Sequence, residues 1–496
     1  MEVTMNTERS QKSGHRIAES KVTCYRWVYI LFFMIAVGYL WSFRVQAESA
    51  RNRTVLIGNV PHIKQKPDFC GEACIAMSLQ KLGHDVSQDD VFNFSGVDPA
   101  LGRGCITADM ERVLKHIDFQ SGEVWHKIDP RKSEDQLGTQ WNILLEDLLN
   151  GIPSIVCMHY GDRTKFSEHF RLILGYDAKT DEVIYHEPAE NNGAYSHMKR
   201  THFLELWPLK YARDEWLAIR MSLKAGKISI PKTSSEFGNA NYAQHIMKLK
   251  PTVPSGFTII LQKPFVVIGD EKRSTVGYRA EHTVKWFVDH ICRLYFKKDP
   301  PTIYDVWLFK DDKSYRKYAK ELFNDAPDTP FGYCSDSHQA LVMNIATGGG
   351  TLCHEIVHAF IPSNFPDCPA WLNEGLASLY EQCSTRDGCV VGLTNWRLQG
   401  LQEEIRAGSL TSFETLLHTT PYQFYNMQEG NSYAQARYLC YYLQEKGLLS
   451  EFYNAFSTNI KSDPSGYETL KKALKVKNME DFQQEWEKWA LRLRFP

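Results

Sequence analysis

Thr351-Leu-Cys-His354-Glu355-Ile-Val-His358 carries the sharpest chemical signal in the chain. On a helix, residues i and i+4 share a face, so His354 and His358 can present imidazole nitrogens to one metal ion. Glu355 projects beside them, placed to take a proton from metal-bound water. Sixteen residues after His358 comes Glu374, in Ala370-Trp-Leu-Asn-Glu374-Gly-Leu-Ala. Leu372, Leu376 and Leu379, with Pro369 at the start, predict a second helix that offers Glu374 as third ligand. Two histidines and one glutamate leave a position open, the pattern of a catalytic Zn2+ site and not a closed structural one. Zinc there would make water acidic near neutral pH and polarise a carbonyl.

A second constellation stands near the other end: Gln65-Lys-Pro-Asp-Phe-Cys70-Gly-Glu-Ala-Cys74. Asp68 is expected to cap a helix opened by Cys70, where the helix dipole favours thiolate. Such a nucleophile needs a base and an orienting group. His169 opens one apolar run and Glu187 ends the next. A hairpin turn around 176–181 would make those ends neighbours. Cys74 lies at i+4 to Cys70 in one helix and is expected to be a core residue.

Each constellation resembles a known family. His354-Glu-Ile-Val-His358 followed by Trp371-Leu-Asn-Glu374-Gly-Leu-Ala resembles the gluzincin metallopeptidases over about 255–496. The resemblance implies zinc ligands His354, His358 and Glu374, with Glu355 as general base and Asn373 beside the ligands. It also implies an edge strand for substrate at 341–345 and an oxyanion-stabilising role for Tyr433. Gly348-Gly-Gly350 would let a backbone approach closely. Aminopeptidases with such helices have a longer spacing than the 15 residues found here, and their Gly-x-Met-Glu-Asn motif is missing upstream of His354. An endopeptidase is therefore favoured. The Cys70 region, with His169-Phe170 and Glu187-Pro188, resembles the papain-like peptidases that process bacteriocin leaders after double glycine, over about 55–222. That implies Cys70 as nucleophile, His169 as base and Gln65 as oxyanion-hole donor. Glu187 stands where Asp is usual, which alters the geometry by one methylene. No exporter or ATPase cassette follows, so leader processing is not implied. A degenerate, peptide-binding version of this fold is the competing reading, and a surface interaction protein with both sites inactive is a third.

The elements that must carry these residues suggest an α+β chain of two domains. From 55 to 222, helical periodicities come first (70–82, 108–117, 141–149) and short apolar runs follow (153–158, 169–175, 182–185). Residues 223–256 are rich in Lys, Ser, Pro, Asn and Thr and read as a linker. Residues 257–496 open with strands at 257–261 and 265–269, a helix at 276–295 and strands at 303–309 and 341–345. After that the pattern is mostly helical. This predicts a papain-like cysteine-peptidase-like domain followed by a mostly helical, gluzincin-type zinc peptidase domain with an N-terminal sheet.

The 496 residues suit two or three domains, and the net charge of -2 removes the electrostatic case for nucleic acid as a partner. A peptide or protein substrate is expected instead. Residues 27–43 are uncharged and apolar, preceded by a surplus of Arg and Lys, with Val45-Gln46-Ala47 after them. Residues 1–47 therefore read as a signal peptide or a membrane anchor, both of which export the body to the periplasm or cell surface. Cys383 and Cys389, bracketing a short polar loop, are the expected disulfide there.

Overall fold

Helix α1 (Cys70–Lys81) is buried from Gly71 to Leu79, so it must be covered on every side. The computed structural model describes residues 53–161, 168–231, 238–426 and 431–495. Segment 27–43, positions 45–47 and Cys24 lie outside the described residues. The chain divides into two compact units. One holds the described residues through Asp98 together with Arg103–Asn241; the other holds Pro99–Gly102 and Tyr242–Pro496.

In unit 1, α1 packs against α2 (Thr107–His116) and an eight-stranded sheet. The sheet runs β1 (Trp125–Ile128), β6 (Glu215–Ser222), β2 (Ser154–His159), β3 (Glu168–Asp177), β4 (Glu182–His186), β5 (Ser196–Lys199), and its strand pairs are antiparallel. Val55–Leu56 adds to β3 and Leu209–Ala212 to β6. Helix α3 (Ser133–Leu149) closes a core with Trp141, Phe203 and Trp207. Gly71 marks where α1 meets β3: a Cβ there would stand 2.6 Å from the Met110 sulfur and 3.2 Å from the Phe170 ring. The expected hairpin forms, with Asp177 opposite Glu182.

The expected cap does not form. Asp68 takes a left-handed φ of 61°, its Oδ2 accepts the Gly104 N–H at 2.8 Å, and Phe69 precedes the helix with no side-chain cap. Within 223–256, Lys224–Ala225 pairs with Phe119–Gln120 and Asn239–Leu249 is helical. Ala240, Tyr242, Ala243 and Ile246 are buried. Their helical stripe is diluted by the polar residues between them.

Unit 2 has a five-stranded sheet in the order β7 (Thr258–Gln262), β8 (Phe265–Gly269), β9 (Tyr304–Phe309), β11 (Ala340–Asn344), β10 (Gly332–Ser335). The central pairs β8–β9 and β9–β11 are parallel, and each of these strands is a short buried apolar run. The expected edge at 341–345 is therefore corrected. Chain 340–344 lies inside the sheet, and the shorter β10 turns back antiparallel to it to form the edge, with Gly332 opposite Met343.

Helix α4 (Gly350–Asn364) follows. It buries Leu352, Cys353, Ile356, Val357 and Phe360 and leaves His354, Glu355 and His358 on a half-buried face. Helix α5 (Ala370–Leu379) packs on α4 and on α6 (Asn431–Glu445). Arg437 of α6 is fully buried. Its Nε donates to the Ser378 carbonyl at 2.9 Å, and its Nη2 to the Leu393 and Leu379 carbonyls at 2.5 and 3.3 Å. A cation thus meets the carbonyl end of α5, where the helix dipole is negative.

The expected Cys383–Cys389 bridge is absent. The two residues lie on a hairpin that pairs Cys383 with Gly392 and Arg386 with Cys389. Three residues of strand separate them, about 10 Å, too far to bond. The described cysteines are free thiols.

Candidate functional site

Each unit assembles one of the two constellations. In unit 2, one α4 face and α5 bring three donors together. His354 Nε2 and His358 Nε2 are 3.0 Å apart, and Glu374 Oε2 is 3.5 and 3.6 Å from them. Ligands about 2.1 Å from a tetrahedral ion stand roughly 3.4 Å from one another, so the donor set fits zinc in type and spacing. His354, His358 and Glu374 would hold it.

Each donor also has a polar neighbour behind it. Asn373 Oδ1 lies 2.9 Å from His358 Nδ1, Glu381 Oε1 lies 3.5 Å from His354 Nδ1, and the Tyr425 hydroxyl donates to Glu374 Oε1 at 2.9 Å. Arg397 grips Glu381 with two hydrogen bonds of 2.9 and 2.8 Å. Such backing orients ligands and raises their basicity. The surrounding charges favour a cation. Burial pulls His354 down, yet hydrogen bonds to Glu374 and Glu381 push it up to about 10. Burial raises Glu374, but hydrogen bonds to both histidines hold it far below the carboxylate range.

A cavity of about 580 Å³ opens on these groups. Glu355 lines it, its carboxyl raised first by burial and lowered by the neighbouring histidines, with a net upward shift. Tyr433 lines the same cavity, with Arg397 5.4 Å from its ring centre. Burial raises its hydroxyl as well. The sequence motif points to Asn373 but not to Glu381, Arg397 or Tyr425. Glu381 lies in the turn just past the end of α5, beyond the reach of the helical spacing. Arg397 and Tyr425 carry no local signal either. The glycine triplet accommodates the chain's own backbone: a Cβ on Gly350 would stand 2.1 Å from the Glu381 carbonyl oxygen.

In unit 1, strand β3 presents His169 and the turn after β4 presents Glu187. His169 Nε2 is 2.5 Å from Glu187 Oε1, and both side chains are 7% exposed. Nδ1 is then the ring nitrogen that Glu187 does not engage. The Phe170 backbone N–H reaches the Cys70 thiol, which puts sulfur one residue from His169. Burial pushes that thiol up to about 12, with the Glu72 and Asp68 carboxylates adding to the effect. Burial thus works against the thiolate that the start of α1 was expected to favour.

Gln65 is tied to this corner by its N–H, which donates to the Pro188 carbonyl at 2.9 Å. Its side-chain Oε1 is buried without a partner. His186 faces elsewhere: Nε2 bonds the Val60 carbonyl at 3.0 Å and Nδ1 accepts the Tyr195 N–H at 2.9 Å. Cys74 is fully buried. Glu72, also fully buried, accepts the Cys105 N–H at 2.7 Å, and burial pushes its carboxyl up to about 7.

Residues 57–213 match the family model described as "Peptidase_C39 like family". Unit 1 therefore contains a C39-like domain, which implies a peptide or protein as substrate class. The match does not reach Tyr242–Pro496. Among solved structures, the peptidase domain of Streptococcus ComA, described as a bi-functional ABC transporter involved in a quorum sensing pathway, is 18% identical. That alignment covers 34% of this chain and 99% of that one, with a TM-score of 0.23. No curated protein matches the chain.

Proposed function

We propose that the chain is an exported peptidase with two reaction centres, a zinc-dependent endopeptidase site in unit 2 and a cysteine site in unit 1. Segment 27–43 either tethers it to the membrane or is removed on export. The observation that carries the zinc reading is the convergence of His354, His358 and Glu374 within a few ångströms of one another, with hydrogen bonds behind His358 and Glu374 and the Glu381 carboxylate 3.5 Å from His354 Nδ1. Zinc, when bound there, supplies Lewis acidity toward a carbonyl and makes water acidic near neutral pH.

The chain's own residues do the rest. A Glu355 carboxylate oxygen accepts the proton of the attacking water and returns it to the departing amine. Tyr433 donates its hydroxyl to the oxygen on which charge develops. Edge strand β10 offers free backbone groups to an extended peptide. In unit 1, His169 Nδ1 takes the Cys70 proton as sulfur attacks, and Glu187 holds the imidazolium.

The test is metal analysis together with hydrolysis of an unbiased peptide library by wild type, Glu355→Gln and Cys70→Ala. Glu355→Gln should retain zinc and lose about 10²–10⁴-fold in the zinc-dependent rate. Unchanged zinc-dependent turnover in that variant, or no bound zinc in protein purified without chelator, overturns the reading.

A second reading of unit 1, as a module that binds peptides without cutting them, is favoured by one observation: the Cys70 thiol is pushed up to about 12. A peptide carrying a thiol-directed warhead separates the two. Labelling of Cys70 at neutral pH supports catalysis, and its absence supports binding alone.

A further inference from the structure

Glu187 is one methylene longer than the aspartate usual at this place, so its carboxylate has an extra torsion to fix. The structure occupies both of its oxygens. Oε1 faces His169 Nε2 at 2.5 Å and accepts the Ala189 N–H at 2.9 Å. Oε2 accepts from Arg171 Nε at 2.6 Å.

Arg171 is two residues beyond His169 on β3, hence on the same face of the strand. Its side chain is 6% exposed. The guanidinium lies 5.4 Å from the ring centre of Tyr160 and 5.6 Å from that of Tyr185, an arrangement that holds a buried cation in place. Tyr160 also packs its ring against His169, with centroids 4.7 Å apart. Burial raises the Glu187 carboxyl, but the His169 hydrogen bond and then the Arg171 charge bring it below its ordinary value.

We propose that Arg171 is a positioning residue of the Cys70–His169–Glu187 constellation, holding the longer glutamate as a fixed, ionised partner for the imidazole. The inference rests on Cys70 being the nucleophile. A shorter side chain at 187 would withdraw the carboxylate by about 1.5 Å, one carbon–carbon bond, and could not keep both partners. Without the guanidinium the buried carboxylate is left to protonate or to swing away. Either change removes the support of the imidazolium that the thiol proton creates.

The titratable groups facing the pair include Cys74 on α1, His169 on β3, Tyr185 on β4, Tyr160 after β2, and His62, whose Nε2 lies 2.9 Å from the Glu187 carbonyl. The Tyr160 hydroxyl itself reaches Glu190 at 3.2 Å.

The experiment follows alkylation of Cys70 by iodoacetamide in the full-length protein as a function of pH, with the adduct located by mass spectrometry. Arg171→Met, Arg171→Lys, Glu187→Asp and the Arg171→Met/Glu187→Asp double variant are compared. Arg171→Met should slow alkylation at neutral pH about tenfold and move the pH profile. Arg171→Lys should recover part of both. Glu187→Asp should cost about tenfold with Arg171 in place, but little when added to the Arg171→Met variant. If Arg171→Met does not fold, Arg171→Lys and Glu187→Asp carry the comparison, since both retain a cation and an anion.

Unchanged or faster alkylation with an unmoved profile overturns the role of Arg171, even if Cys70-dependent hydrolysis is found. The expected pattern without any Cys70-dependent hydrolysis keeps that role and overturns the cysteine activity instead.

Discussion

His358 Nδ1 and Asn373 Oδ1 stand 2.9 Å apart, joining α4 to α5 through the residue that precedes Glu374. The hydrogen bond fixes His358 with its Nε2 toward the other donors. Asn373→Ala should leave the fold intact and weaken zinc binding about 10–100-fold. Competition against a chromogenic chelator measures this, and an unchanged affinity would mean that Asn373 only packs.

Arg397 and Glu381 form a mostly buried pair, with side chains 24% and 7% exposed. Burial lowers the arginine, but its hydrogen bonds to Glu381 give a net upward shift. Arg397→Met leaves Glu381 without its counter-charge. The expected loss is about 3 kcal/mol of stability, read from the denaturant midpoint. Zinc affinity should fall as well, because Glu381 then turns from His354. Arg397→Met/Glu381→Gln should recover much of the stability and none of the affinity.

Glu72 makes stability depend on pH. Burial raises its carboxyl from 4.5 to about 7. Between those values the folded protein holds the proton more tightly than the unfolded chain does. Stability therefore falls as pH rises through that window and stays lower above it. Glu72→Gln should flatten this dependence and gain in stability above about pH 7. Chemical denaturation on either side of the window checks it; identical slopes for the two proteins would contradict it.

Tyr433 shares the cavity with Glu355, and the two residues answer differently to substitution. Tyr433→Phe should lower kcat about 10²-fold with KM and bound zinc nearly unchanged. A rise in KM at constant kcat would assign Tyr433 to substrate binding.

The candidate site residues were legible because their spacing is local. His354 and His358 are one helical turn apart, Glu374 sits in its own amphipathic helix, and Cys70 opens another. The strand order was not. An apolar run such as 340–344 reads the same at an edge or in the middle, and only the return of Gly332–Ser335 decides which it is. Asp68 has the side chain of a cap, yet a loop distant in sequence, at Gly104, claims its carboxylate. Arg171 was hidden by an apolar strand, where a charge is explained only by the glutamate 16 residues later.

The guanidinium of Arg437 closes the carbonyl end of α5 from within α6. The helix that bears Glu374 and Asn373 is thereby clamped to the one that bears Tyr433. Ligand and hydroxyl then share a single mechanical coordinate: whatever tilts α6 moves both together. A substitution at Arg437, which is neither one of the three clustered donors nor part of the cavity lining, would be felt as a loss of registration between Glu374 and Tyr433.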